Sequence, residues 1–296
     1  MSKRQTYEKM TIEHFGDHLL RSQDLDPVYT MLVNAKLESN TLRRWLLAYA
    51  MSYSSGVVSY ISEQKGVKFW DTMATFATNT EPSPIGGRWP RGRERRHFRG
   101  VAAEKAVAWM RERFPQPEDA ILHLEAPVSR HRDITCKEVM DRVQEWPLHG
   151  PWIGFKMADL LDRVLEVPVE FSGSDVLFFD SPKKAAKQWF EATRPGVTFK
   201  SDVTYVMEAC VYLQNVFGQR MAPPNHDRKV ALNEIETILC KWGSHMNFHY
   251  PIGIDTVELL EAVEPWDKVS EVAWTLKHEV QNILEDAEIN KVGFTS

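Results

Sequence analysis

Three groups of residues in this chain have types and spacings suited to chemistry, and the first centres on Lys156. It stands in Gly150-Pro-Trp-Ile-Gly-Phe-Lys-Met-Ala-Asp159, where a Pro/Gly turn opens directly onto an apolar-periodic segment, Met157, Leu160, Leu161, Val164 and Leu165. That spacing predicts a helix. Its first N–H groups and its dipole favour negative charge at the turn, so the segment reads as an anion site that Lys156 strengthens. Asp175, sixteen residues after Asp159, returns a carboxylate beyond a short extended segment, Val167 to Phe171. Plainer readings stand beside these: a solvated lysine on an ordinary helix, and an aspartate capping the turn before Phe178 and Phe179.

The second group is the basic run from residue 88 to residue 99. It holds Arg88, Arg91, Arg93, Arg95, Arg96 and Arg99 against the single Glu94, a net of +5. The whole chain stands at −5, so the remainder carries −10. Guanidinium forks match phosphate oxygens two at a time, and Gly92 and Gly100 let backbone approach a ligand. Trp89, His97 and Phe98 offer flat faces for base stacking. A local positive surface on an acidic body is what a binder of one polyanionic ligand needs. A structural ion-pair network and a nuclear-type address are the alternatives.

The third group lies in residues 233–245. Glu236 and Cys240 are spaced i,i+4 and share a helix face; Lys241 and His245 share another. A buried carboxylate beside a thiol or histidine serves proton transfer, while a small core cysteine with surface neighbours is the plain alternative. Cys240, His245 and His249 lack the ligand spacing of zinc sites. Neither metal nor cofactor is expected.

These residues need a scaffold. A chain of 296 residues with 43% hydrophobic content and ten tryptophans is globular, and long enough for one large domain or two lobes sharing a core. No apolar run approaches the ~20 residues that span a bilayer. Met1 to Thr6 carries charge with no apolar stretch behind it, so no secretory signal is read there. Cys136, Cys210 and Cys240 form neither a disulfide framework nor a Cys-x-x-Cys motif. A reduced cytoplasmic setting is expected.

Apolar spacing is helical nearly everywhere, which predicts an all-α fold. Helices are expected over 7–20, 27–38, 41–63 and 67–77, then after a Pro/Gly/Ser-rich loop over 101–114, 117–125, 135–146 and 153–166. More follow over 182–193, 199–217, 227–245, 256–264 and 267–287. Asp26-Pro27 and Ser181-Pro182 mark starts, and Thr135 with Glu138 forms a capping box. Strand-like alternation is confined to residues near 167–179.

The turn-and-helix segment resembles the helix-hairpin-helix element of the DNA glycosylase superfamily, which reads roughly Leu-Pro-Gly-hydrophobic-Gly-x-Lys-Thr-Ala. Pro151, Ile153, Gly154, Lys156 and Ala158 fall on that pattern, while Trp152 replaces its first glycine and Met157 its threonine. Lys156 matches the lysine that lyase-type members use as nucleophile, and Asp175 lies near the place of the superfamily's aspartate. Together with Arg-Gly-Arg-Glu-Arg-Arg-His-Phe-Arg-Gly (91–100) and Glu-Ile-Glu-Thr-Ile-Leu-Cys-Lys (234–241), the segment resembles the bacteriophage amino acid:DNA transferases, relatives of the α-glutamyl/putrescinyl-thymine pyrophosphorylases.

The resemblance implies one glycosylase-like helical domain over 1–296, with lobes of approximately 1–100 plus 200–296, and 101–199. It implies thymine hypermodification in phage DNA, inside the host cytoplasm. An amino acid or amine displaces pyrophosphate from 5-pyrophosphoryloxymethyl-deoxyuridine in double-stranded DNA, with the target base flipped out. Lys156, Asp175 and Glu236 are then the catalytic candidates. Arg91, Arg93, Arg95, Arg96, His97, Arg99, Gly154 and Lys241 are the candidates for holding pyrophosphate or DNA. Two other readings compete: a DNA glycosylase, with lyase chemistry through Lys156, and a non-enzymatic helical DNA-binding protein.

Overall fold

The computed structural model describes residues 7–126, 133–172 and 179–286. It is all-α, as the apolar periodicity predicts. The helices are α1 (Ile12–Ser22), α2 (Pro27–Ala35), α3 (Ser39–Ser52), α4 (Ser55–Ser62), α5 (Gly66–Thr78), α6 (Gly100–Arg113) and α7 (Glu118–Glu125). They continue as α8 (Cys136–Gln144), α9 (Pro151–Val164), α10 (Asp180–Thr193), α11 (Asp202–Phe217), α12 (Leu232–Met246), α13 (Ile254–Val263) and α14 (Glu271–Asp286). None is long and apolar enough to cross a membrane.

The chain divides into two compact units. The described residues of the first fall within Met1–Thr30, Phe171–Val257 and Ile283–Ser296; those of the second fall within Met31–Glu170 and Glu258–Asn282.

In the first unit, Ile12, Phe15 and Leu19 line one face of α1, at the spacing of a helical stripe. They join Trp189 and Phe190 of α10, Val206, Leu213 and Phe217 of α11, and Ile238, Leu239 and Trp242 of α12 in one core. Each such side chain, fully buried, stabilises by about 1.5–3 kcal/mol. Helices approach closely where side chains vanish. A Cβ on Gly16 would lie 2.6 Å from the Phe217 ring, and one on Gly243 would lie 2.7 Å from Ala185.

In the second unit the expected helix over 41–63 is two helices. α3 ends at Ser52, Tyr53 takes a left-handed backbone (φ 51°), and Ser54 is extended before α4 begins. The cause is tertiary. The N–H of Gly92, from the basic run, donates to the Ser52 carbonyl at 2.9 Å and satisfies one of the acceptors a helix end leaves open. A Cβ on Gly92 would stand 2.2 Å from the Tyr53 oxygen, so only glycine fits.

The Thr135 capping box forms as expected, its Oγ1 accepting from Glu138 N while Glu138 Oε2 accepts from Thr135 N. Helices α8 and α9 pack tightly as a hairpin across the turn 145–150. Among the described residues of the expected strand region, β2 (Val169–Glu170) pairs in parallel with β1 (Ile134–Thr135), in the register Ile134 with Val169. This bridge fastens together the chain entering α8 and the chain leaving α9.

Candidate functional site

The basic run is a folded loop, and its arginines divide into two kinds. Arg91 reaches back over the end of α5, where Nη2 donates to the carbonyls of Phe76 and Ala77, Nη1 to Trp89 O at 3.1 Å, and Nε to Phe98 O at 2.9 Å. A guanidinium at a helix C-terminus satisfies the last carbonyls and complements the dipole. Burial, and secondarily Arg99, lowers the Arg91 pKa from its ordinary value.

Arg95 is only 2% exposed. It donates to Leu148 O at 3.0 Å and Met51 O at 3.4 Å, and it contacts the ring nitrogens of His97 and His149. Among the described residues no carboxylate pairs with it. Burial pushes its pKa down to about 10, which still leaves it charged at neutral pH. Arg91 and Arg95 are therefore committed to the fold. Arg88, Arg93, Arg96 and Arg99 are exposed, and none forms an ion pair among the described residues. His97 is exposed as well.

The aromatic faces read from the sequence are occupied. Phe98 is fully buried, and Trp89 is held by Asn79 Oδ1 and Glu81 O and packed among Phe76, Tyr60 and Trp266. Both side chains hold the loop down from beneath, so base stacking on them is not available; of the three aromatic candidates in this run, His97 alone faces solvent.

The hairpin lies beside this loop. Arg95 grips the α8–α9 turn through Leu148 and His149, and Trp152 at the head of α9 contacts the Tyr53 ring, 5.1 Å between centroids. The second unit thus brings together the two segments the sequence singles out first. Helix α9 starts with Gly150 as an extended N-cap lacking a side-chain bond and Pro151 at the first position. Among the described residues the Trp152 and Ile153 N–H groups donate to nothing.

Gly154 corrects one expectation. Its N–H bonds Gly150 O at 3.1 Å, and a Cβ would stand 2.9 Å from the Met140 backbone. This glycine lets α9 approach α8, and no donor remains on it for a phosphate. Lys156 is not a solvated lysine. Its side chain is 16% exposed, 3.6 Å from Asp159 Oδ2, while Arg163 Nη1 lies 3.7 Å from the other oxygen of that fully buried carboxylate. The spacing i, i+3, i+7 of Lys156, Asp159 and Arg163 carried this triad, and apolar neighbours disguised it.

Glu236 and Lys241 belong to the first unit. Glu236 is buried, and its charge, added to burial, pushes the Cys210 thiol up to about 11. Lys241 is held within its own unit, donating to Asp24 O at 2.7 Å and Tyr250 Oη at 2.8 Å and pairing with Asp255 at 2.7 Å. Burial alone would lower its pKa, but Asp255, Asp24 and Asp26 overcome this and raise it. Asp24 accepts from Tyr250, Gly253 and Thr256. Lys241 is thus an internal cation, not the phosphate contact expected of it.

His245 is equally committed, its Nδ1 facing Tyr250 O at 2.9 Å while Nε2 accepts from Met10 N. Among the described residues no three His, Cys, Asp or Glu side chains could hold a metal ion. Asp175 lies outside the described residues.

Known proteins resemble this chain along most of its length. The chain is 44% identical over 285 residues to a glycinyltransferase of Pseudomonas phage PaMx11, covering 90% of this chain and 94% of that one. It is 25% identical over 236 residues to a putrescinyltransferase of Delftia phage PhiW-14, covering 77% of this chain and 70% of the other. The family model described as amino acid:DNA transferase matches residues 11–249, a span that contains the basic run, the hairpin and most of the first unit's core. The chain belongs to the amino acid:DNA transferase family.

Proposed function

We propose that this enzyme displaces pyrophosphate from 5-pyrophosphoryloxymethyl-deoxyuridine in double-stranded phage DNA, with glycine as the incoming amine. The observation that carries the donor is the 44% identity to a phage glycinyltransferase along 90% of the chain. The chemistry suits the exposed arginines. As the exocyclic C–O bond breaks, negative charge accumulates on pyrophosphate, and Arg93, Arg96 and Arg99 around the buried Arg95 stabilise charge where it develops. The remaining carbon is electron-poor and conjugated to the pyrimidine ring. The amine nitrogen attacks it, a C–N bond forms, and the amine proton passes to a general base. Lys156 serves as a fixed positive charge on the second helix of the hairpin.

The test incubates the purified protein with duplex DNA carrying the pyrophosphorylated base and, in separate reactions, glycine, serine, glutamate or putrescine. Products are read by nucleoside mass spectrometry. A glycine adduct with released pyrophosphate is expected. Release of a free base, or a borohydride-trapped adduct through Lys156, would give the reaction to the glycosylase reading. Salt-sensitive binding without product would leave a DNA-binding protein.

A further inference from the structure

Leu148 occupies an unusual place. It lies in the α8–α9 turn with φ +66°, a left-handed conformation that glycine or asparagine usually takes and that strains a leucine. Its neighbours are anchored inward. Trp146 is buried; His149 is 6% exposed, with its N–H on Trp146 O and its ring between Trp146 and Phe98. The carbonyl of Leu148 itself is held by Arg95. The residue is nonetheless 37% exposed, beside the exposed N-cap Gly150. A turn anchored from both sides therefore leaves a branched apolar residue exposed, tied through Arg95 to the loop that carries the exposed Arg93, Arg96 and Arg99.

We propose that Leu148 is the wedge this protein inserts into the DNA stack when the target base leaves it. The inference rests on the reading that the substrate base is part of a duplex. Apolar side chains that enter between base steps unstack them, and the phosphates on either side need cations to hold the backbone against the protein. Leu148 supplies the first and the exposed arginines the second. The strain has the same explanation: glycine would relax the turn but leave the stack empty.

The experiment uses full-length protein and a duplex with 2-aminopurine next to the modified base, comparing Leu148→Ala, Leu148→Gly and Leu148→Met with the parent. Ile85→Ala serves as control, since Ile85 is equally exposed, at the tip of the Ser83–Gly87 turn. The parent should raise 2-aminopurine fluorescence on binding. Leu148→Ala and Leu148→Gly should lose at least about 5-fold of that rise, Leu148→Met should retain it, and Ile85→Ala should match the parent. Leu148→Gly should melt at or above the parent's temperature, which separates insertion from folding. No fluorescence rise with the parent, an undiminished rise with Leu148→Gly, or a loss confined to Ile85→Ala overturns the proposal. Absence of any transfer product would sink the proposed reaction alone, because the fluorescence reads insertion without it.

Discussion

Arg95 Nη2 lies 3.4 Å from Nε2 of His149, and both side chains are buried. A guanidinium has only donors, so Nε2 must be the acceptor; Nδ1, 2.9 Å from Pro147 O, carries the proton. His149 is thereby fixed as one neutral tautomer. Burial, and then the charge of Arg95, pushes its pKa down to about 3.

Acid should therefore loosen the hairpin. The unfolded chain protonates this histidine near its ordinary value, 6.5, and the folded chain only near 3. In that window the unfolded state binds more protons, so stability falls as pH drops, by at most about 1.4 kcal/mol per pH unit. Thermal unfolding between pH 7 and pH 4 and the ring signals of His149 in NMR check this. A ring that becomes charged near pH 6 in the native state would contradict the assignment.

Arg95 and Arg96 are adjacent in sequence and should behave as opposites. Arg95→Ala strands the carbonyl of Leu148 and the ring of His149 in the interior, and should destabilise by about 2–4 kcal/mol. Arg96→Ala, on an exposed side chain, should change stability by no more than about 0.5 kcal/mol while lowering turnover on pyrophosphorylated DNA. Chemical denaturation and transfer assays on both variants decide. Equal destabilisation would mean the basic loop is structural throughout.

Gly92→Ala should disrupt the break between α3 and α4. The new methyl would meet the Tyr53 carbonyl at 2.2 Å, and backbone cannot yield as a flexible side chain can. A loss of about 2–4 kcal/mol is expected, together with weaker DNA binding, since the exposed arginines hang from this anchor. An unchanged melting temperature would show that the loop is not fastened there.

Lys241 and Arg93 should separate cleanly in a salt titration of DNA affinity. Arg93→Ala removes an exposed cation and should lower the slope of log affinity against log salt by about 1. Lys241→Met should leave that slope alone but destabilise by about 3 kcal/mol, because Asp24 and Asp255 lose their cation. A reduced slope in Lys241→Met would return this lysine to the DNA surface.

Local signals in the sequence determined the all-α class, the Thr135 capping box, a helix following the Gly150-Pro151 turn and the concentration of arginine at 88–99. Each depends on residues within a few positions of one another, which periodicity and capping preferences report directly. Tertiary structure alone decided which arginines reach solvent. Arg91 and Arg95 differ from Arg93 and Arg96 only in what lies across from them, namely the end of α5 and the α8–α9 turn, brought there by packing between distant segments. The same holds for the break after Ser52, whose carbonyl is bonded by Gly92 from forty residues away, and for Lys241, whose partners Asp24 and Asp255 stand on either side of it in sequence. A charge or an aromatic ring carries no mark of its burial, because burial is a property of the neighbours that folding supplies.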